Sequence, residues 1–224
     1  MPFKLMTPFV TYSKNFTENI LQNNPVWTKL LGLCPLLAVS NTVANALALA
    51  AASSFVLISS NTLISALRSL IPDLMVLPSF VLIISTFTTM AVLFLEAFAF
   101  EIYIQVALFI QIIVTNCAIL ERAETFASKN SMLSSLIDAV GTSFGFAIAI
   151  IALGFTREIL GKGTLFENLW FLTGSTEDLY TILLFESAPL SIASLPPGAF
   201  LVAGLLLAAS KAIYNPKEHP SANE

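Results

Sequence analysis

Charge is what this chain has least of. Ten Lys or Arg and fourteen Asp or Glu among 224 residues make charged residues 11% of the total, against roughly 25% in a soluble domain. That is too little charge to solvate a globule of this size. The 56% hydrophobic content and mean hydropathy of +0.84 point instead to a surface facing lipid or apolar protein, the mark of an integral membrane protein. No cluster of lysine or arginine is present to meet nucleic acid, and the net charge of −4 is small. The single histidine, His219, lies in a polar tail. Gly161-Lys162-Gly163 does not make a P-loop, and no nucleotide, phosphate or zinc-hydrolase motif is found. The only two cysteines, Cys34 and Cys117, sit in or beside apolar runs. That placement argues against a stapled secreted framework. Residues 1–29 read as a polar lead-in rather than a secretory signal, because Lys14, Glu18, Gln22 and Asn23-Asn24-Pro25 interrupt any apolar core.

What is present is a series of long uncharged runs. Leu30 to Leu67 carries no charge and would be about 57 Å long as one helix, against a bilayer core of about 30 Å. It must therefore break, and Gly32, Pro35, Ser40-Asn41-Thr42 and Asn45 place the break in its first half. A short half-helix carrying Cys34, a polar irregular piece and a helix to Leu67 are expected. Further spans are expected over Leu74–Leu95, Ile102–Leu120, Leu136–Thr156, Leu179–Leu195 and Ala199–Tyr214. Glu186 and Pro189 make the fifth a poor one, and Pro196-Pro197-Gly198 reads as a break. The expected fold is an all-α membrane protein of six transmembrane helices over residues 30–214, followed by a polar tail, 215–224. In each half a cysteine follows an apolar run and an arginine, Arg68 or Arg157, closes a later span. Two inverted three-helix repeats, about 30–113 and 114–214, follow from that pattern, with broken helices meeting near the midplane. Lys4, Lys14, Lys29, Lys211, Lys217 and the Arg157–Lys162 connection would share one side, which the positive-inside rule makes cytoplasmic.

Two readings of the cysteines stand side by side. Cysteine packs in membrane helices as a small apolar residue; as a thiolate it binds metal. A break in lipid exposes backbone that must be covered or line a cavity, which is hard to justify for packing alone, and both cysteines lie at such breaks. Asn116, Thr115, Ser40, Asn41 and Asn45 are candidates for lining an ion path or hydrogen-bonding to sulfur, with helix–helix hydrogen bonding as the plain alternative. Asp138 and Glu186 are candidate intramembrane carboxylates, or else snorkel to the interface. Glu121, Arg122 and Glu124 read as a charged rim.

Five segments in order carry a family resemblance: Leu31-Gly32-Leu33-Cys34-Pro35-Leu36-Leu37-Ala38-Val39; Ile113-Val114-Thr115-Asn116-Cys117; Arg122-Ala123-Glu124; Arg157-Glu158-Ile159-Leu160-Gly161-Lys162-Gly163-Thr164-Leu165-Phe166; and Leu195-Pro196-Pro197-Gly198-Ala199-Phe200. They resemble the family formed by the RnfE and NqrD membrane proteins. The resemblance implies a six-helix inner-membrane component with inverted halves, paired with a homologous RnfA-type (or NqrE-type) protein of opposite topology beside RnfB, RnfC, RnfD and RnfG. It implies a 2Fe–2S cluster held by Cys34, Cys117 and two cysteines of that partner, with flavin only in other components. It implies electron transfer between ferredoxin and NAD in the Rnf form, or from NADH to quinone in the Na⁺-translocating Nqr form, coupled to Na⁺ or H⁺ translocation, with no catalytic site in this chain alone. The loop from Gly161 to Asp178 and the Leu195-Pro196-Pro197-Gly198 turn favour the Rnf form over the Nqr form. Readings of another class are a secondary transporter with the broken helices framing a solute site, or a structural assembly protein.

Overall fold

The computed structural model describes residues 29–98, 100–165, 182–183 and 195–214. Helices dominate them: α1 (Leu33–Val39), α2 (Val43–Leu67), α3 (Val76–Phe98), α4 (Phe100–Gln111), α5 (Cys117–Arg122), α6 (Met132–Lys162) and α7 (Pro196–Tyr214). A 3-10 turn over Asp73–Met75 leads into α3, a second over Ile112–Thr115 follows α4, and a π-helical turn over Ala123–Ala127 follows α5. Thr164–Leu165 (β1) and Ile182–Leu183 (β2) form a short antiparallel ribbon. Among the described residues α2, α3 and α6 are long and apolar enough to cross a membrane.

The core lies between α2 and α6. Nearly all sides of α2 are covered, from Val43, Ala46 and Leu49 through Val56 and Leu57 to Ile64, as befits a helix that is apolar all round. Small residues permit the close approach: a Cβ at Gly154 of α6 would stand 3.0 Å from the Ala46 Cβ of α2. Helix α3 is covered on one stripe only, Phe80, Ile84, Thr88 and Ala91. Its Leu82, Leu93 and Phe94 are more than half exposed. Outward leucine and phenylalanine at that density suit contact with lipid or apolar protein, since water would penalise each.

Three expectations change in the structure. The third span, Ile102–Leu120, is not one helix: α4 ends at Gln111, and Asn116 adopts an extended backbone (φ −66°, ψ 114°) before α5. The fourth span, Leu136–Thr156, is longer at both ends. Arg157 and Glu158 lie inside α6, not in a connection, and the helix stops at Gly163, whose φ of 67° is left-handed. Pro196-Pro197-Gly198 opens α7 rather than breaking the chain, because the first helical turn needs no N–H from proline. Of the fifth span, Ile182 and Leu183 are described as extended, and Leu195 precedes α7; the rest, including Glu186, lies outside the described residues.

Candidate functional site

Cys117 reaches the start of the Cys34 helix at one glycine. Gly32 has a left-handed backbone (φ 78°, ψ 16°) and stands at the N-terminus of α1. The turn aims its N–H at Cys117 Sγ, 3.0 Å away. Cys34 follows two residues later, in the first turn of α1, where Pro35 costs no hydrogen bond. A Cβ on Gly32 would stand 3.2 Å from each of Ala118 Cβ, Asn116 Oδ1 and Phe146 Cε2. The chain entering α1 therefore lies directly on the start of α5. Both thiols are free; Cys34 is exposed and Cys117 is half-buried. An amide N–H directed at sulfur stabilises negative charge there, the environment of a metal-bound thiolate. Among the described residues no group of three or more His, Cys, Asp or Glu could hold a metal ion. A four-thiolate cluster at this place would draw its other ligands from another chain.

The candidates around the cysteines occupy defined places. Buried Asn116 caps α5, its Oδ1 accepting the Ala118 N–H at 3.0 Å. Thr115 donates to Ile112 O at 3.2 Å. Asn41 and Asn45 stand at the break between α1 and α2, with Asn45 Nδ2 donating to Asn41 Oδ1 at 3.2 Å. Thr42 Oγ1 caps α2 by accepting the Asn45 N–H at 3.3 Å. Of these residues, Asn116 is placed against both Gly32 and the Cys117 helix. A cavity of about 10 Å³ beside it, lined by Ser53, Ser54, Thr142, Ser143 and Phe146 among others, has room for a single water.

Asp138 points into the chain's own core. It is 4% exposed and accepts a hydrogen bond from Arg122 Nη2 at 2.7 Å, while Arg122 Nε donates to Thr142 Oγ1 at 3.1 Å. Arg122 is buried too and lies 5.9 Å from the centre of the Phe126 ring. The expected rim residue is thus half of an internal ion pair tying α5 to α6. Glu121 beside it is half-buried and pairs with Lys29.

Sequence reasoning misplaced a second charged pair, Arg157 and Glu158. They are 2% and 0% exposed on α6. A charge inside a membrane helix costs about 3 kcal/mol on insertion scales, so each must have partners. Arg157 Nη1 donates to Leu37 O at 3.1 Å and to Ser40 Oγ at 3.0 Å, and its Nη2 donates to Leu195 O at 3.4 Å. Glu158 Oε2 accepts the N–H of Val43, the first residue of α2, at 2.7 Å. The guanidinium meets the electron-rich C-terminal end of α1, and the carboxylate meets an N–H otherwise without a helical partner at the start of α2. One signal could have found them: no Gly or Pro separates Thr156 from Leu160, so nothing local ends the helix before the charges.

The family model described as "Rnf-Nqr subunit, membrane protein" matches residues 12–207. Three relatives, each named as the E component of an ion-translocating oxidoreductase complex, are similar over nearly the full length. The protein of Shewanella frigidimarina is 42% identical over 203 residues, covering 90% of this chain and 88% of the relative. That of Glaesserella parasuis is 46% identical over 199 residues, 88% and 87%. That of Cellvibrio japonicus is 42% identical over 206 residues, 91% and 87%.

Proposed function

This chain belongs to the Rnf-Nqr family of membrane subunits, and on that premise we propose that it is the RnfE-type component of an ion-translocating oxidoreductase complex in which Cys34 and Cys117 carry electrons across the boundary between neighbouring chains. The two thiolates supply half the ligands of a 2Fe–2S cluster. A homologous RnfA-type protein of opposite topology supplies the other half, with RnfB, RnfC, RnfD and RnfG completing the complex. When bound, such a cluster takes up and releases one electron at a time. The letter in the relatives' names is the Rnf one, which favours RnfE over its Nqr counterpart, NqrD.

The observation that carries the reading is the 3.0 Å contact from Gly32 N–H to Cys117 Sγ, with Cys34 two residues on. Cys117 Sγ lies against the backbone two residues before Cys34, and both thiols are free of a disulfide, Cys34 exposed and Cys117 half-buried. One receives the kind of hydrogen bond that tunes cluster ligands, and the exposed one is available to a cluster shared with a neighbour. Asn116 holds the start of α5, and so the Cys117 backbone, in place. The proposed setting is the bacterial inner membrane, crossed six times in two inverted halves with both termini cytoplasmic. Electron transfer is coupled there to Na⁺ or H⁺ movement, for which Asn116, Thr115, Asn41, Asn45 and Asp138 are candidate lining residues.

The test is iron content and electron paramagnetic resonance of the complex purified from cells carrying all its components. Cys34→Ser and Cys117→Ser, each alone, are expected to abolish one reduced 2Fe–2S signal and lower iron by one cluster per complex. Assembled complexes that keep the full iron content in both variants overturn the reading. Solute transport by this chain alone in liposomes, unchanged in both variants, would support a secondary transporter instead.

A further inference from the structure

Two adjacent buried charges on α6 serve the two ends of one helix break. Consecutive helical side chains diverge by about 100°. Arg157 and Glu158 can therefore reach opposite sides of the Ser40-Asn41-Thr42 gap from one turn of α6. Arg157 holds Leu37 O and Ser40 Oγ on the α1 side. Glu158 holds the Val43 N–H on the α2 side. Leu37 is three residues beyond Cys34, on the next turn of the same short helix. The other end of α1 is tied by Gly32 to Cys117. Seven residues held at both ends leave the Cys34 backbone little freedom. The third contact of Arg157, to Leu195 O, extends the same grip to the start of α7, which packs on α1.

We infer that Arg157 and Glu158 are positioning residues for Cys34: by clamping the break between α1 and α2 they fix the short helix that carries that thiol, whose other end rests on Cys117. The inference rests on the proposed ligand role of the cysteines for its consequence, but the clamp itself is a statement about this chain's geometry. Arg157→Lys keeps the charge and removes the planar fork that spans Leu37 O, Ser40 Oγ and Leu195 O. Glu158→Gln is isosteric and still offers an oxygen to the Val43 N–H, so its effect is smaller. Ser40→Ala removes one acceptor only and covers the case in which Arg157→Lys fails to assemble.

The experiment uses the assembled complex with each variant and reads two quantities at matched protein level. The first is the line shape and midpoint potential of the reduced cluster. The second, after iron is stripped with a chelator, is the rate at which Cys34 reacts with a small membrane-permeant methanethiosulfonate. Arg157→Lys is expected to broaden or shift the signal, move the potential and raise the labelling rate severalfold. Ser40→Ala moves both in the same direction by less, and Arg68→Gln, at an exposed site, moves neither. A labelling rate equal to the parent's in both Arg157→Lys and Ser40→Ala overturns the clamp, whatever the iron result. Loss of the ligand reading shows separately, as a full cluster signal in Cys34→Ser, and the labelling comparison still decides the clamp.

Discussion

Replacing Gly32 with alanine should pull the start of the Cys34 helix away from Cys117. The backbone at Gly32 has φ +78°, a region that costs an L-residue roughly 1–2 kcal/mol. The added Cβ would meet Ala118 Cβ, Asn116 Oδ1 and Phe146 Cε2, each at 3.2 Å. None has an easy retreat, since Ala118 and Asn116 belong to the capped start of α5 and Phe146 is buried in α6. Overpacking of that kind costs about 1–3 kcal/mol, which brings the total to about 2–5 kcal/mol, or more than tenfold in the folded population at 1.4 kcal/mol per decade. Relief comes if α1 lifts away from α5, which stretches the Gly32 N–H to Cys117 Sγ contact. The assay is thermal inactivation of the detergent-solubilised complex by size-exclusion profile, with the thiol-labelling rate of Cys117 after iron removal. Gly154→Ala is the comparison for crowding alone: its Cβ would stand 3.0 Å from Ala46 Cβ and 3.4 Å from Thr42 O, without a positive φ. Gly204→Ala is the comparison for no crowding, with nothing within 4 Å, and gains up to about 1 kcal/mol of helix propensity. A Gly32→Ala complex as stable as Gly204→Ala, with Cys117 no more reactive than in the parent, refutes the reasoning.

Removing one member of the Arg122–Asp138 pair strands the other in the core. Asp138→Leu and Arg122→Met should each destabilise by roughly 3–5 kcal/mol, and the double variant carrying both by less than either. Additive losses in that double-mutant cycle would show that the pair is not coupled. At the α5 cap, Asn116→Ala should cost about 1 kcal/mol, whereas Asn116→Asp keeps an acceptor for the Ala118 N–H and should stay near the parent. Equal thermal shifts for the two Asn116 variants would dismiss the cap.

The membrane character was legible in the sequence because it depends on composition and run length alone. Local chemistry also predicted the interruption at Ser40-Asn41-Thr42: these residues compete with helical hydrogen bonds and can cap the next helix, and Thr42 does so. The end of α2 at Leu67 lies next to the first charge after that run. These features are decided within a few residues of where they occur. Positions such as Arg157 were not legible in the same way. A charge in an apolar stretch looks like the end of a span unless its partner is known, and the partners of Arg157 lie at Leu37, Ser40 and Leu195. Arg122, read as a rim charge, misled for the same reason, since Asp138 makes its burial possible.

By itself the sequence determined the solvent this protein lives in, the helical class, and the interruption at Ser40-Asn41-Thr42, all of them consequences of short-range periodicity and of what lipid will accept. Tertiary structure alone decided that Gly32 points its N–H at Cys117, that α6 runs on through two charges, and that those charges hold the ends of α1 and α2. Each of these pairings joins residues more than eighty positions apart. Contacts at that separation depend on how helices pack in three dimensions, and the residues beside them in the chain carry no trace of it.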